Sequence, residues 1–134
     1  MSAQVIVYGY IEILESNLSR AKEVLQTFEF DSSKRFTNIF SEPNVGFESS
    51  LLPFAGSFKN LDKNWDEWLD LFEKLMIALR TVSASITVEH EFKPQTQYYY
   101  KMDDPFGNDN SASWTRYITT QAPSFDVDGI ITTT

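Results

Sequence analysis

The stretch NLDKNWDEWLDLFEKLMIALR, residues 60–80, decides the fold class. Leu61, Trp65, Trp68, Phe72, Leu75 and Leu79 recur at steps of four and three, the period of an amphipathic helix with one buried stripe. Asp66, Asp70, Glu73 and Lys74 fall on the opposite side, and Asp62 stands where an N-cap is expected. A helix that large in a chain of 134 residues needs a sheet or another helix to receive its tryptophans and phenylalanines.

The residues on either side of the helix supply the sheet. Residues 3–13, AQVIVYGYIEI, are rich in β-branched and aromatic side chains, which predicts a central strand buried on both faces over much of its length. A helix follows, capped by Ser16 or Asn17, with Leu18, Ala21, Leu25 and Phe28 on its apolar side and Asp31-Ser32-Ser33 ending it. Residues 34–47 and 51–58 read as two strands, and Pro43, Pro53 and Gly56 mark them as edge or bulged strands. Beyond the long helix, residues 83–92 alternate as a strand, and 95–102 and 113–120 read as two more, joined by the polar loop DDPFGNDNSA.

This order of strand, helix, two strands, helix, strand predicts an α+β fold of the ferredoxin-like, or split βαβ, kind. Its antiparallel sheet carries two helices on one face and gains a C-terminal β-hairpin. The chain reads as a single domain, 1–134, with an ordered core over 3–122 and a tail over 123–134. A chain of this length buries roughly two-thirds of the surface that its unfolded form exposes, so its core needs no metal or disulfide.

Composition removes whole classes of function. The absence of cysteine excludes disulfide scaffolds, cysteine zinc sites and thiol catalysis. Nineteen Asp and Glu against 11 Lys and Arg leave a net charge of −8, which opposes binding to nucleic acid or an anionic membrane and favours a basic protein partner. The first twenty residues lack the charge and apolar block of a secretory signal, and no apolar run approaches the ~20 residues that span a bilayer, so a cytoplasmic protein is expected.

The single histidine, in TVEHEF at 87–92, is the natural candidate for an acid or base. Strand parity separates it from its neighbours: Ile86, Val88, His90 and Phe92 share one face, Thr87, Glu89 and Glu91 the other. His90 is therefore expected among apolar side chains, and the two glutamates project together. Phosphate loops, His-Glu-x-x-His pairs and nucleophile elbows are missing. Asp126-Val127-Asp128-Gly129 resembles part of a calcium loop without its final glutamate, and the carboxylates over 103–109 read as ordinary turn residues. No catalytic residue, metal ligand or cofactor site is assigned.

What remains is binding chemistry. Tyr98-Tyr99-Tyr100 puts rings on both faces of one strand, so one ring at least faces solvent, and Trp114, Arg116 and Tyr117 crowd the next strand. Tyrosine, tryptophan and arginine carry much of the binding energy at protein interfaces. The expected partner-binding residues are Glu89, Glu91, Tyr98, Tyr100, Asp103, Asp104, Trp114 and Tyr117.

An acidic, cysteine-free chain that opens on VYGYIEI and runs from FAGSFK into a tryptophan-rich helix resembles the immunity proteins of bacterial polymorphic toxin systems. The resemblance implies a non-catalytic, stoichiometric inhibitor that covers the active site of a cognate toxin, often a basic nuclease. The alternative is a small-ligand or enzymatic domain that uses His90 in a cavity between sheet and helices.

Overall fold

The computed structural model describes residues 4–46, 48–91, 94–102, 114–121, 123–125 and 131–133. Strand β1 (Gln4–Leu14) leads through a 3-10 turn into helix α1 (Leu18–Thr27), followed by β2 (Asn44–Val45), β3 (Ser49–Lys59), helix α2 (Trp65–Leu79), β4 (Thr81–His90), β5 (Gln95–Met102) and β6 (Trp114–Gln121). These six strands form one sheet in the order β2-β3-β1-β4-β5-β6, and all five neighbouring pairs are antiparallel. Strand β3 lies between β1 and β2, and β1 lies between β3 and β4. A separate two-stranded ladder joins β7 (Pro123–Phe125) to β8 (Ile131–Thr133).

The core is one-sided. Val5, Val7, Ile11 and Ile13 of β1, Leu52 and Phe54 of β3, Ala84, Ile86 and Val88 of β4 and Tyr100 of β5 are all buried. The strand register places every one of them on the same face. Against that face lie Trp68, Leu69, Phe72, Leu75, Met76 and Leu79 of α2, and α1 contributes Ala21, Val24 and Leu25. Helix α2 thus buries Trp68, Phe72, Leu75 and Leu79 of the predicted stripe, while Trp65 is partly buried and Leu61 is buried in the turn before the helix. It begins at Trp65, three residues after Asp62, which stands in a preceding 3-10 turn, Leu61–Asn64. Asn64 holds the N-cap position, and Asp66 and Glu67 set negative charge in the first turn, where the helix dipole favours it. Arg80, at φ 55°, turns the chain out of the helix and straight into β4.

Two expectations are corrected. Residues 34–47 do not form a strand along their length: Asn44–Val45 pair with β3 as a two-residue strand, and Phe40 meets Phe54 in an isolated antiparallel bridge. Ahead of them, a 3-10 turn at Ser32–Lys34 and a left-handed Arg35 close a loop in which Asp31 and Phe36 exchange backbone hydrogen bonds. The loop directs Phe36 onto Trp68, with ring centroids 5.2 Å apart, while Phe40 meets Phe54 at 5.2 Å. Aromatic packing thus anchors the segment alongside the few backbone bonds that Ile39 and Ser41 make to β3. Strand β1 is also buried on one face only: the described helices leave Ile6, Tyr8, Tyr10 and Glu12 uncovered on the other, and Ile6 is exposed.

Two residues of the sheet are dictated by backbone geometry. A Cβ at Gly9 would stand 1.8 Å from the Ser85 carbonyl oxygen, and the Phe54 ring fills the space beside it. Pro53 pairs with Tyr10 on β1, while its carbonyl accepts from the Ser41 amide at 2.9 Å on the outer side. The N–H that proline lacks belongs to that same outer side, where the sheet has almost no partner strand.

Candidate functional site: the open face of the sheet

The face away from the helices has a different chemistry, set row by row by the strand register. One row crosses the sheet as Pro53, Tyr10, Ser85, Tyr99 and Tyr117, and the next as Ala55, Tyr8, Thr87, Gln97 and Thr119. On the other side of the first row lie Leu51, Glu12, Ser83, Lys101 and Thr115. Tyrosines, hydroxyls, amides and carboxylates therefore replace the valines and isoleucines of the helix face. The exposed Ile6, Leu51, Tyr99 and Tyr117 all belong here, with Tyr117 at 55% and Tyr99 at 37%. The rings of Tyr99 and Tyr117 lie 6.3 Å apart across the β5–β6 pair.

The polar groups of this face are tied to one another. Glu12 accepts hydrogen bonds from Ser49 Oγ at 2.8 Å and Ser83 Oγ at 2.9 Å, one to each carboxylate oxygen. Glu89 Oε1 accepts from the Tyr8 hydroxyl at 3.0 Å and from Gln95 Nε2 at 3.2 Å, and Glu91 accepts from the Gln4 amide at 3.3 Å. Partial burial pushes the Tyr10 hydroxyl pKa up, and the neighbouring Tyr99 and Glu12 add to the shift. Tyr8 is shifted in the same direction by burial and by its bond to Glu89. Both phenols stay protonated at neutral pH, and that of Tyr8 donates to Glu89.

The predicted binding residues divide between the two faces. Glu89 and Glu91 are exposed on the open side, and Tyr117 stands beside Tyr99. Tyr98, Tyr100 and Trp114 point the other way. Tyr100 is fully buried, its hydroxyl donating to Glu73 at 3.2 Å, and Trp114 packs edge-on against it. Tyr98 accepts from Trp65 Nε1 at 2.9 Å. A partner cannot reach Tyr100, so its ring belongs to the core. Asp103, Asp104 and the calcium-like Asp126-Val127-Asp128-Gly129 lie outside the described residues. Sequence reading missed Tyr8, Tyr10, Glu12 and Tyr99 as site residues; the signal available was the alternation Tyr8, Tyr10, Glu12 within a run otherwise rich in β-branched residues.

His90 lies on the helix face opposite Val5, half-buried, as its parity predicted. A cleft of about 390 Å³ opens between α1 and the segment leading to β2, lined by Lys22, Leu25, Asn38, Phe40 and Glu42 among others, and His90 is not part of it. Among the described residues, no group of three His, Asp or Glu side chains is placed to hold a metal ion. Among them too, no helix is long and apolar enough to cross a membrane. Compared with known protein families, characterised proteins and solved structures, the chain matches none.

Proposed function

We propose that the protein is a non-catalytic acidic binding protein, an immunity protein that neutralises a cognate bacterial toxin by covering its active site, and that the open face of the sheet is its docking surface. One observation carries this reading. Among the described residues, the face away from the helices carries the exposed Tyr99 and Tyr117 together with Ile6 and Leu51, alongside Glu12, Glu89 and Glu91, while the helices cover the centre of the opposite face and leave Val45 and Ile118 exposed at its edges. Aromatic rings on a rigid scaffold supply contact area at low entropic cost, and carboxylates steer a basic partner into place. The interleaved order β2-β3-β1-β4, with α1 and α2 on the crossovers, supports reading the first six elements as a ferredoxin-like split βαβ unit to which β5 and β6 are added as a hairpin. In that plan the added strands widen the face offered to a partner. The net charge of −8 fits a basic toxin, such as a nuclease, better than a nucleic acid or a membrane.

The test is co-expression with the toxin domain encoded beside this chain in its own genome. Restored growth together with an isolable one-to-one complex is the expected result. A chain that fails to protect, or that protects at substoichiometric amounts by turning over a substrate, would overturn the reading.

A further inference from the structure

The open face is not flat. Ser83, Ser85 and Thr87 follow one another at alternate positions of β4, with larger side chains on the strands to either side. Tyr8, Tyr10 and Glu12 of β1 form one wall, and Gln97, Tyr99 and Lys101 of β5 form the other. Ser83 and Ser85 are each only 6% exposed although their face carries neither described helix, because the flanking side chains rise above them. The result is a trough with a hydroxyl floor and tyrosine walls. A β-bulge falls at one end of it, where Glu12 pairs with Ser83 but Ile13 pairs with Thr81.

Glu12 marks that end. An ionised carboxylate offers about four acceptor sites. Ser49 and Ser83 occupy one on each oxygen, which leaves one free on each. Among the described residues no basic side chain stands within ion-pair distance of Glu12, and Arg116 is engaged with Glu73 on the far face at 3.7 Å. The half-buried carboxylate is thus held by two serines, keeps outward acceptor capacity and has no counter-charge beside it among the described residues.

We infer that this trough receives an arginine side chain of the partner protein, its guanidinium paired with Glu12 and its plane laid against Tyr10 and Tyr99. Two features select that chemistry. Two free acceptor positions on one carboxylate match the paired N–H donors of a guanidinium. Tyrosine rings attract a flat, weakly hydrated cation more readily than a lysine ammonium. The serine hydroxyls beneath are already engaged, Ser83 with Glu12 and Ser85 accepting from Gln97 Nε2 at 3.3 Å, so they form a closed polar floor and the contacts fall to Glu12 and the rings. An anionic ligand would meet Glu12 directly, and a neutral one would leave it without a counter-charge. Lys101, opposite Ser83 on the far wall, is the one cation of the trough, and it competes with the incoming arginine.

The inference rests on the open face being the partner surface, and its test needs no toxin. Acetyl-arginine amide and acetyl-lysine amide are titrated into the full chain while the tyrosine-ring and backbone NMR signals are followed. The arginine probe is expected to give saturable shifts confined to Tyr10, Ser83, Ser85 and Tyr99, and to bind more tightly than the lysine probe. Affinity should fall by roughly tenfold, the equivalent of about 1.4 kcal/mol, in Glu12→Gln. It should fall similarly in Tyr99→Ala, and should rise in Lys101→Gln. Shifts centred on the helix face, equal affinity in Glu12→Gln and Tyr99→Ala, or no preference for arginine over lysine would each overturn it. Growth protection without arginine binding would discard the trough and keep the toxin reading; arginine binding without protection would do the reverse.

Discussion

The two faces of this one sheet are built from the same strands, one residue apart. On the helix face, Val5, Val7, Ile11 and Ile13 meet Leu52, Phe54, Ala84 and Ile86, and α2 closes over them. On the other face, Tyr8, Tyr10 and Glu12 meet Ala55, Pro53, Ser83, Ser85 and Thr87. A face of branched aliphatics packs tightly and leaves nothing to reach. A face of tyrosines and hydroxyls bonds to itself and still offers rings, donors and carboxylates outward. Stability should therefore reside almost wholly on one face and partner recognition on the other.

The largest effect is expected where the faces share a backbone constraint. Gly9→Val would drive a side chain into the Ser85 carbonyl, since even a Cβ stands 1.8 Å from that oxygen, and backbone in the neighbouring strand cannot give way cheaply. A loss of more than about 4 kcal/mol is expected in denaturant unfolding, enough to leave much of the chain unfolded. A stable Gly9→Val variant would mean that β1 and β4 do not pair in this register.

Removing a core ring comes next. Phe72 is fully buried and packs on Trp68 and Phe54, with centroids 5.5 Å away in each case. Phe72→Ala should cost about 3–5 kcal/mol by chemical denaturation. A loss below 1 kcal/mol would place the ring at a surface and blur the division between the faces.

A pH titration reaches the same face by another route. Burial pushes the Tyr100 hydroxyl up to about 12, with the charge of Glu73 adding to the shift and Arg116 opposing it. Below about pH 10 the phenol is protonated in both folded and unfolded chains. As pH rises from there toward 12 only the unfolded chain gives up its proton, so stability present at lower pH is lost, by about 3 kcal/mol in all. Tyr8 and Tyr10 are shifted in the same direction, so the comparison is with Tyr100→Phe, which should unfold at alkaline pH with a visibly shallower slope. Identical slopes would mean that Tyr100 is solvated.

How much of this was legible beforehand depends on whether a local pattern decided the matter. The stripe of Leu61, Trp68, Phe72, Leu75 and Leu79 settled α2, because helical periodicity fixes a face with no knowledge of its neighbours. Parity likewise separated His90 from Glu89 and Glu91. Which of Tyr98, Tyr99 and Tyr100 faces solvent could not be read locally, since the strand carries tyrosine on both sides; only the pairing of Tyr99 with Ser85, and of Tyr100 with Ala84, decides it. Residues 34–47 misled for a related reason. Phe36 and Phe40 suit a strand and an aromatic core equally well, and the choice was made by Trp68 and Phe54, elsewhere in the chain. The trough was hidden because it belongs to three strands at once, its floor on β4 and its walls on β1 and β5.

The smallest effect on stability is expected from the open face, where the account is most exposed. Tyr99→Ala with Tyr117→Ala removes two neighbouring rings that are 37% and 55% exposed. Melting of this double variant should stay within about 1 kcal/mol of the parent, as for substitutions of exposed side chains. The decisive measurement is the affinity of the double variant for the neighbouring-gene toxin domain, set beside Asp66→Lys with Asp70→Lys on the exposed side of α2. The prediction is a loss of at least about a hundredfold for the tyrosine pair and little change for the helix pair. Full affinity in the tyrosine variant, with the loss falling on the helix pair, would contradict the assignment of the open face as the docking surface.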